Sequence, residues 1–429
     1  MSPKKKTDSI HKFVLSNGLT VVAQSTSHIS SVSAGLFVKL GSVHEKDSEA
    51  GYCHFLEHML FKGTTNRNAK EIAIVSEKNG GILNAATTRE FTYYYFTFVD
   101  AQLFFGLDLL KDLVFNSILD SDDIKNESKV IMEEKRSYDD SPEDFIYDFY
   151  FKNIFKNTSL GREVIGTEES ITSITSPRLK AFYRKYYKPE NMVLSISGNF
   201  DIKKLQSYLN KNYSGLSNKG IVDIPKVKEA KIGLEHHFSK KKTEQIHYYL
   251  GFPGYKRNLE TSHIANLLCT ILGGGMASRL FQKVREDNGL CYSIQAFPSM
   301  YEKSGIVSVS CSTSRKHLIE SLKIIKKELE DLLKNGISEI ELENAKNNQI
   351  GNATIGFESS ESKMYSIGAL EIYYKRYLSL HDRVERIKSV TMDDVNNAIH
   401  DFFNIKKIHF SGLGDFSPKD IKEVTNILS

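Results

Sequence analysis

Val193-Leu194-Ser195-Ile196-Ser197-Gly198-Asn199-Phe200-Asp201 reads as a short apolar strand closing on a polar turn. The stretch His409-Phe410-Ser411-Gly412-Leu413-Gly414-Asp415-Phe416 repeats that pattern. Gly198 falls on Gly414 and Phe200 on Phe416, both at an offset of 216 residues. The same offset carries Gly35, in Ala34-Gly35-Leu36-Phe37, onto Gly251, in Leu250-Gly251-Phe252-Pro253. It also carries Glu127 onto Glu343, each inside a polar helical stretch. Several such pairs in one order argue for duplication of a unit of roughly 200 residues, an ordinary domain size.

Ser214-Gly215-Leu216-Ser217-Asn218-Lys219-Gly220, followed by lysines and Pro225, has linker composition. The division expected is therefore a domain over residues 1–215, a linker over 216–230 and a second domain over 231–429. Within the first half, Ser16-Asn17-Gly18 between Phe13-Val14-Leu15 and Thr20-Val21-Val22-Ala23 is a hairpin signal. Residues 32–40 alternate like a strand, 50–61 are apolar at helical spacing and 91–99 are β-rich. Residues 101–118 and 122–138 predict two helices, the second capped by Ser121 to Asp123. Strands and helices mix without strict alternation. The expectation is an α+β fold of two homologous halves, each a mostly antiparallel sheet with helices packed on one face.

The 429 residues are 40% hydrophobic and 26% charged, an ordinary globular composition that excludes disorder and collagen-like architectures. Fifty-seven basic and 53 acidic residues leave a net charge of +4, which gives no reason to expect nucleic acid or a membrane surface as partner. No apolar run reaches the roughly 18 residues a spanning helix needs. Lys4-Lys5-Lys6 is followed by Thr7, Asp8 and Ser9 rather than an apolar run, and the segment lacks arginine. It reads as a solvated tail, not a signal or transit peptide. Cys53, Cys269, Cys291 and Cys311 form no CxxC pair, so they are expected as reduced thiols of a cytoplasmic protein, mostly packed as small hydrophobes.

The strongest chemical signal is His54-Phe55-Leu56-Glu57-His58. On a helix, positions i and i+4 share a face, so both imidazoles can reach one metal ion. Imidazole suits zinc, and Glu57 beside the second histidine can point at a water held there and take its proton. The apolar neighbours Phe55, Leu56, Met59, Leu60 and Phe61 mark a half-buried helix, where two histidines and a glutamate are costly without a partner. Packed histidines on an amphipathic helix are the plainer alternative. A catalytic zinc needs a third protein ligand and an open position. Glu127, Glu133 and Glu134, on the helix predicted near 122–138, are the options. Glu127 and Glu134 lie two turns apart on one face, and Glu133 about 100° round the helix.

Gly51 to Thr64, which contains this motif, resembles the signature of the M16 zinc peptidases, the pitrilysin, insulinase and mitochondrial processing peptidase family. The resemblance implies a LuxS/MPP-like fold forming half of a clamshell. It implies His54 and His58 as zinc ligands and Glu57 as general base. It places the third ligand about 76 residues beyond His58, at Glu134, with Glu127 supporting the site from behind and Glu133 the nearest rival. Gly80-Gly81-Ile82-Leu83-Asn84-Ala85-Ala86-Thr87 resembles the family's substrate-pairing edge strand, with Asn84 and Ala85 in that role. Arg285 and Tyr292 match the family's Arg-x6-Tyr pair, which reaches the substrate carbonyl and the developing oxyanion.

In the second half, positions 54–58 fall on Thr270-Ile271-Leu272-Gly273-Gly274 and Glu134 on Ile350, so that half is expected to lack metal ligands and to contribute substrate contacts. Gly273-Gly274-Gly275 reads as a tight turn. Long members of the family carry four such units and this chain two, which implies a clamshell of two chains: a homodimer, with a heterodimer containing an inactive relative as the alternative. The activity implied is zinc-dependent endopeptidase action on short or unfolded peptides, with one Zn2+ per chain. A non-catalytic partner subunit is the rival reading. His236, His237 and His247 are expected as ordinary surface residues, with substrate contacts as the alternative.

Overall fold

A computed structural model describes residues 10–216 and 222–429; Lys4-Lys5-Lys6 and linker residues 217–221 lie outside the described residues. The chain divides into two compact units. The first comprises Met1–Glu134, Glu163–Lys226 and Thr354–Leu380, and the second Lys135–Arg162, Val227–Ala353 and His381–Ser429.

The first unit holds six strands: β1 (Ile10–Val14), β2 (Thr20–Ser25), β3 (Ser31–Val38), β4 (Ile82–Thr87), β5 (Thr92–Val99) and β6 (Met192–Gly198). Asn17-Gly18 turns β1 into β2, with Gly18 at φ +87°. The sheet order is β1-β2-β6-β3-β5-β4, antiparallel except for β2 beside β6. Alternation along the strands sorts side chains to two faces. Val21, Ala23, Val32, Ala34, Leu36, Leu194 and Ile196 enter the main core with the helices Tyr52–Leu60 and Leu103–Phe115. Val22, Phe37 and Val193 point the other way and pack with Met364 and Ile367 of the helix Ser360–Tyr374. With both faces covered, β3 and β6 carry buried residues at consecutive positions.

The second unit repeats this plan with β7 (His236–Lys240), β8 (Ile246–Pro253), β9 (Cys291–Met300), β10 (Gly305–Thr313) and β11 (His409–Gly414), in the order β7-β11-β8-β10-β9. Again one pair is parallel, β7 beside β11, and the rest are antiparallel. Order and pairing match β2-β6-β3-β5-β4 strand for strand.

Each unit also contains a helix encoded in the other half of the sequence. Ser360–Tyr374 lies on the first sheet, and Pro142–Ile154 on the second. The glycine pair at offset 216 explains how they fit. A Cβ on Gly35 would stand 2.7 Å from Met364 Sδ; one on Gly251 would stand 2.4 Å from Ile154 Cδ1 and 2.7 Å from the Tyr150 hydroxyl. Tyr150, fully buried, anchors its helix through a 2.7 Å hydrogen bond to Ser308 Oγ.

Cys53, Cys269 and Cys311 are buried and Cys291 half-buried, none of them in a disulfide. His247 departs from the surface role expected of it: it is buried, with Nδ1 3.0 Å from Ser312 Oγ, because it lies on the sheet face beneath the helix from the first half. Among the described residues no helix is long and apolar enough to cross a membrane.

Candidate metal centre

The helix Tyr52–Leu60 starts at Gly51, whose φ of +84° is open to glycine, and a Cβ there would strike Ile165 O at 2.5 Å. No side chain of the first turn caps it. Buried Glu45 does so from outside, accepting from Gly51 N at 2.9 Å and Cys53 N at 2.7 Å. A carboxylate there also complements the helix dipole. Tyr52, Cys53, Phe55, Leu56, Met59 and Leu60 are buried in the core, which turns His54, Glu57 and His58 to the half-buried face.

The facing helix, Ser121–Asp140, buries Ile124, Glu127, Ile131 and Met132. Glu127 therefore stands inside an apolar stripe, and Glu134, one heptad on, follows it to the same face. Glu133 is exposed. Glu134 Oε1 lies 3.6 Å from His54 Nε2, and its Oε2 3.6 Å from His58 Nε2. The ligand atoms of His54, His58 and Glu134 all fall within 4.8 Å of one another, the one such cluster among the described residues. Atoms bound tetrahedrally to zinc at about 2.1 Å stand about 3.4 Å apart, so the set fits that ion with little adjustment.

Electrostatics agree. Burial, with His58 alongside, lowers the pKa of His54 to about 3, which keeps it neutral and able to ligate. Burial acts the same way on His58. The hydrogen bond from Glu127 and the charges of Glu134, Glu127 and Glu57 outweigh it and raise the pKa. The negative charges that raise the pKa of His58 would also attract a metal cation. His58 Nδ1 is 2.9 Å from Glu127 Oε1, and Lys62 Nζ is 2.5 Å from Glu127 Oε2. Glu127 is held below the ordinary carboxylate range: burial raises it, but these two partners prevail.

Glu57 is pushed up by burial, against the hydrogen bond from Thr87 and the charge of His58. Thr87 Oγ1 donates to Glu57 Oε2. Thr87 ends β4, the outer strand of its sheet, and shares a face with Leu83 and Ala85, which pack on the core. Asn84 is exposed on the other face, its Oδ1 accepting from Ala85 N at 2.8 Å. Thr87 and Lys62 were both within the quoted motifs, yet sequence reading assigned neither a role. The signals were there: Lys62 is four residues after His58, one helical turn on, and Thr87 is two after Ala85, one strand period on.

Arg285 and Tyr292 come together in the second unit. The segment Phe281–Glu286 is wound as a π-helix, with Asp287 N donating to Gln282 O at 2.8 Å. The Arg285 guanidinium lies 4.8 Å from the Phe281 ring centre and 5.7 Å from that of Tyr292. Ser293 pairs with Ser312 and Cys291 with Thr313, so Tyr292 is the extra residue of a β-bulge, 73% exposed. Both irregularities are of the kind that re-aims side chains at functional sites.

The model of the insulinase (peptidase family M16) domain matches residues 20–168, and that of the peptidase M16 inactive domain matches residues 173–349. The chain belongs to the M16 peptidase family. Relatives across nearly its full length are named zinc proteases. One, YmxG of Bacillus subtilis, is 34% identical over 92% of this chain and 96% of its own; one of Mycobacterium leprae is 34% identical over 94% and 92%. Two crystal structures share the M16 fold. A protease from Helicobacter pylori has a TM-score of 0.89 at 23% identity, covering 95% of this chain and 99% of its own. A peptidase M16 inactive domain from Pseudomonas fluorescens has 0.86 at 20%, covering 95% and 98%.

Proposed function

We propose that this M16 member is a zinc-dependent endopeptidase that hydrolyses short or unfolded peptides. The observation that carries the proposal is the His54–His58–Glu134 triangle with a half-buried carboxylate, Glu57, on the same helix face. His54, His58 and Glu134 would hold the ion and Glu127 would orient His58. Zinc bound there would supply Lewis acidity and acidify a water at the site. Glu57 takes the proton of the attacking water and returns it to the leaving amine. Its raised pKa brings it nearer to the working pH of a general base. Asn84 and Ala85, on the outer strand, would pair with the substrate main chain, giving affinity with little demand on sequence. Arg285 and Tyr292 would donate to the oxyanion.

The N-terminal half is thus the catalytic domain and the C-terminal half an inactive homologue that contributes substrate contacts. The chain acts as a homodimer in which a closed chamber admits peptides and excludes folded proteins. The Arg285–Tyr292 pair of one chain serves the metal site of its partner. The four cysteines, none in a disulfide, support a cytoplasmic setting. The alternative is a non-catalytic or heterodimeric partner subunit. One likeness in fold, that from Pseudomonas fluorescens, is described as an inactive domain. The test is Glu57→Gln. It should bind zinc as the wild type does and lose peptide turnover. Near-wild-type turnover would remove Glu57 from the role of base, and a wild type that binds zinc but cleaves nothing in a varied peptide pool would favour the partner-subunit reading.

A further inference from the structure

The two imidazoles of the triangle are supported unequally. His54 Nδ1 is buried and has no hydrogen-bond partner among the described residues. His58 Nδ1 is 2.9 Å from Glu127 Oε1, and the other oxygen of that carboxylate is 2.5 Å from Lys62 Nζ. Glu127 is 3% exposed, so little water competes for either oxygen. Lys62 follows the motif helix by two residues and His58 by four, which sets the two on one side of the chain where one carboxylate from the facing helix bridges them.

An ammonium has donors only. Lys62 therefore claims Oε2 as an acceptor and fixes the rotation of the carboxylate. Oε1 is then left to accept from His58, which requires the hydrogen on Nδ1. That choice leaves the lone pair of His58 on Nε2, the nitrogen 3.6 Å from Glu134 Oε2. Without Lys62, Glu127 loses the contact that fixes its rotation, and its hold on the Nδ1 hydrogen weakens.

We propose that Lys62 is a positioning residue of the metal centre: through Glu127 it selects the His58 tautomer whose Nε2 faces the ion. This rests on the zinc reading above. A ligand-orienting partner is typically worth 10- to 100-fold in metal affinity. The test is the zinc dissociation constant, read by competition with a chelating dye at constant pH. It is measured on the wild type, Lys62→Met, Lys62→Arg, Glu127→Gln and the double variant Lys62→Met/Glu127→Gln.

Lys62 is part-exposed, and methionine keeps its length and bulk, so the fold should survive; far-UV circular dichroism of the metal-free proteins checks this. Expected are a loss of about 10-fold or more for Lys62→Met, recovery to within a few-fold of wild type for Lys62→Arg, and a double variant no weaker than Glu127→Gln alone. Coincidence of the double variant with Glu127→Gln is what a merely structural lysine would not produce. Affinity of Lys62→Met within twofold of wild type, or losses that multiply in the double variant, overturns the inference while the zinc reading stands. A wild type that binds no zinc overturns both.

Discussion

Replacing Thr87 with valine removes one hydroxyl and keeps the shape of the side chain. In the native site that hydroxyl donates to Glu57 Oε2, and burial already raises the pKa of Glu57 against the influence of this bond. Valine leaves a carboxylate in a poorly hydrated setting with one donor fewer. A hydrogen bond to a charged group contributes about 1.5–3 kcal/mol, which corresponds to a roughly 10- to 150-fold fall in kcat if the oriented, ionised form of Glu57 is the one that reacts. Substrate pairing at Asn84 and Ala85 uses main chain, so KM should change little. The sign of the pH effect follows from the same contact: Thr87 lowers the Glu57 pKa, so its loss moves the acid limb of the rate profile to higher pH. Thr87→Ser should recover most of the activity. Steady-state cleavage of an internally quenched peptide from pH 5 to 9, with zinc content measured on each preparation, reads all of this. A zinc-replete Thr87→Val enzyme with wild-type kcat and an unmoved acid limb would refute the reasoning.

Arg285→Met and Tyr292→Phe should each lower kcat by about 10²–10³ with zinc affinity unchanged, as for loss of an oxyanion donor; retention of full kcat in both would place the pair outside the reaction. Gly251→Ala drives a methyl to 2.4 Å from Ile154 Cδ1 and 2.7 Å from the Tyr150 hydroxyl, so it should cost about 1–3 kcal/mol in denaturant unfolding. An unchanged midpoint would mean that the helix Pro142–Ile154 is not seated there. Glu341 accepts from Arg279 Nε at 2.5 Å and Nη2 at 2.9 Å; burial opposes ionisation, but these bonds prevail and hold its pKa at about 2 against 4.5. Because the folded pKa lies below the unfolded one, this stabilisation is present above about pH 4.5 and is lost as pH falls toward 2. After allowance for its partial exposure, Glu341→Gln should be less stable than wild type by roughly 2 kcal/mol at pH 7 and by nothing near pH 2; a gap that does not close on acidification would contradict this.

Much of the fold was legible because its signals are local or periodic. Asn17-Gly18, the strand-like run in residues 32–40 and the apolar spacing of 50–61 each record a local backbone choice. The pairing of Gly35 with Gly251 recorded the duplication. What the sequence did not disclose is why those two glycines are there: each admits a helix from the far half, and no local pattern encodes which helix covers which sheet. The same limit applied to His247, polar in sequence but buried by a helix about a hundred residues earlier in the chain. At the metal centre, spacing brought out His54, Glu57 and His58 because one helix carries all three. The choice among Glu127, Glu133 and Glu134 was open to geometry alone, since three glutamates on a lysine-rich helix look alike until a facing helix buries one of them. Thr87, Lys62 and Glu45 escaped notice because common residue types acquire such roles only through a contact with another element.

The central claim is that this chain cleaves peptides with a zinc ion held by His54, His58 and Glu134. The most direct measurement is cleavage of an internally quenched, unstructured peptide before chelation, after chelation and after zinc is restored. Turnover should disappear with the metal, return with it, and be absent throughout in Glu57→Gln. Turnover that persists in the fully chelated protein would contradict it.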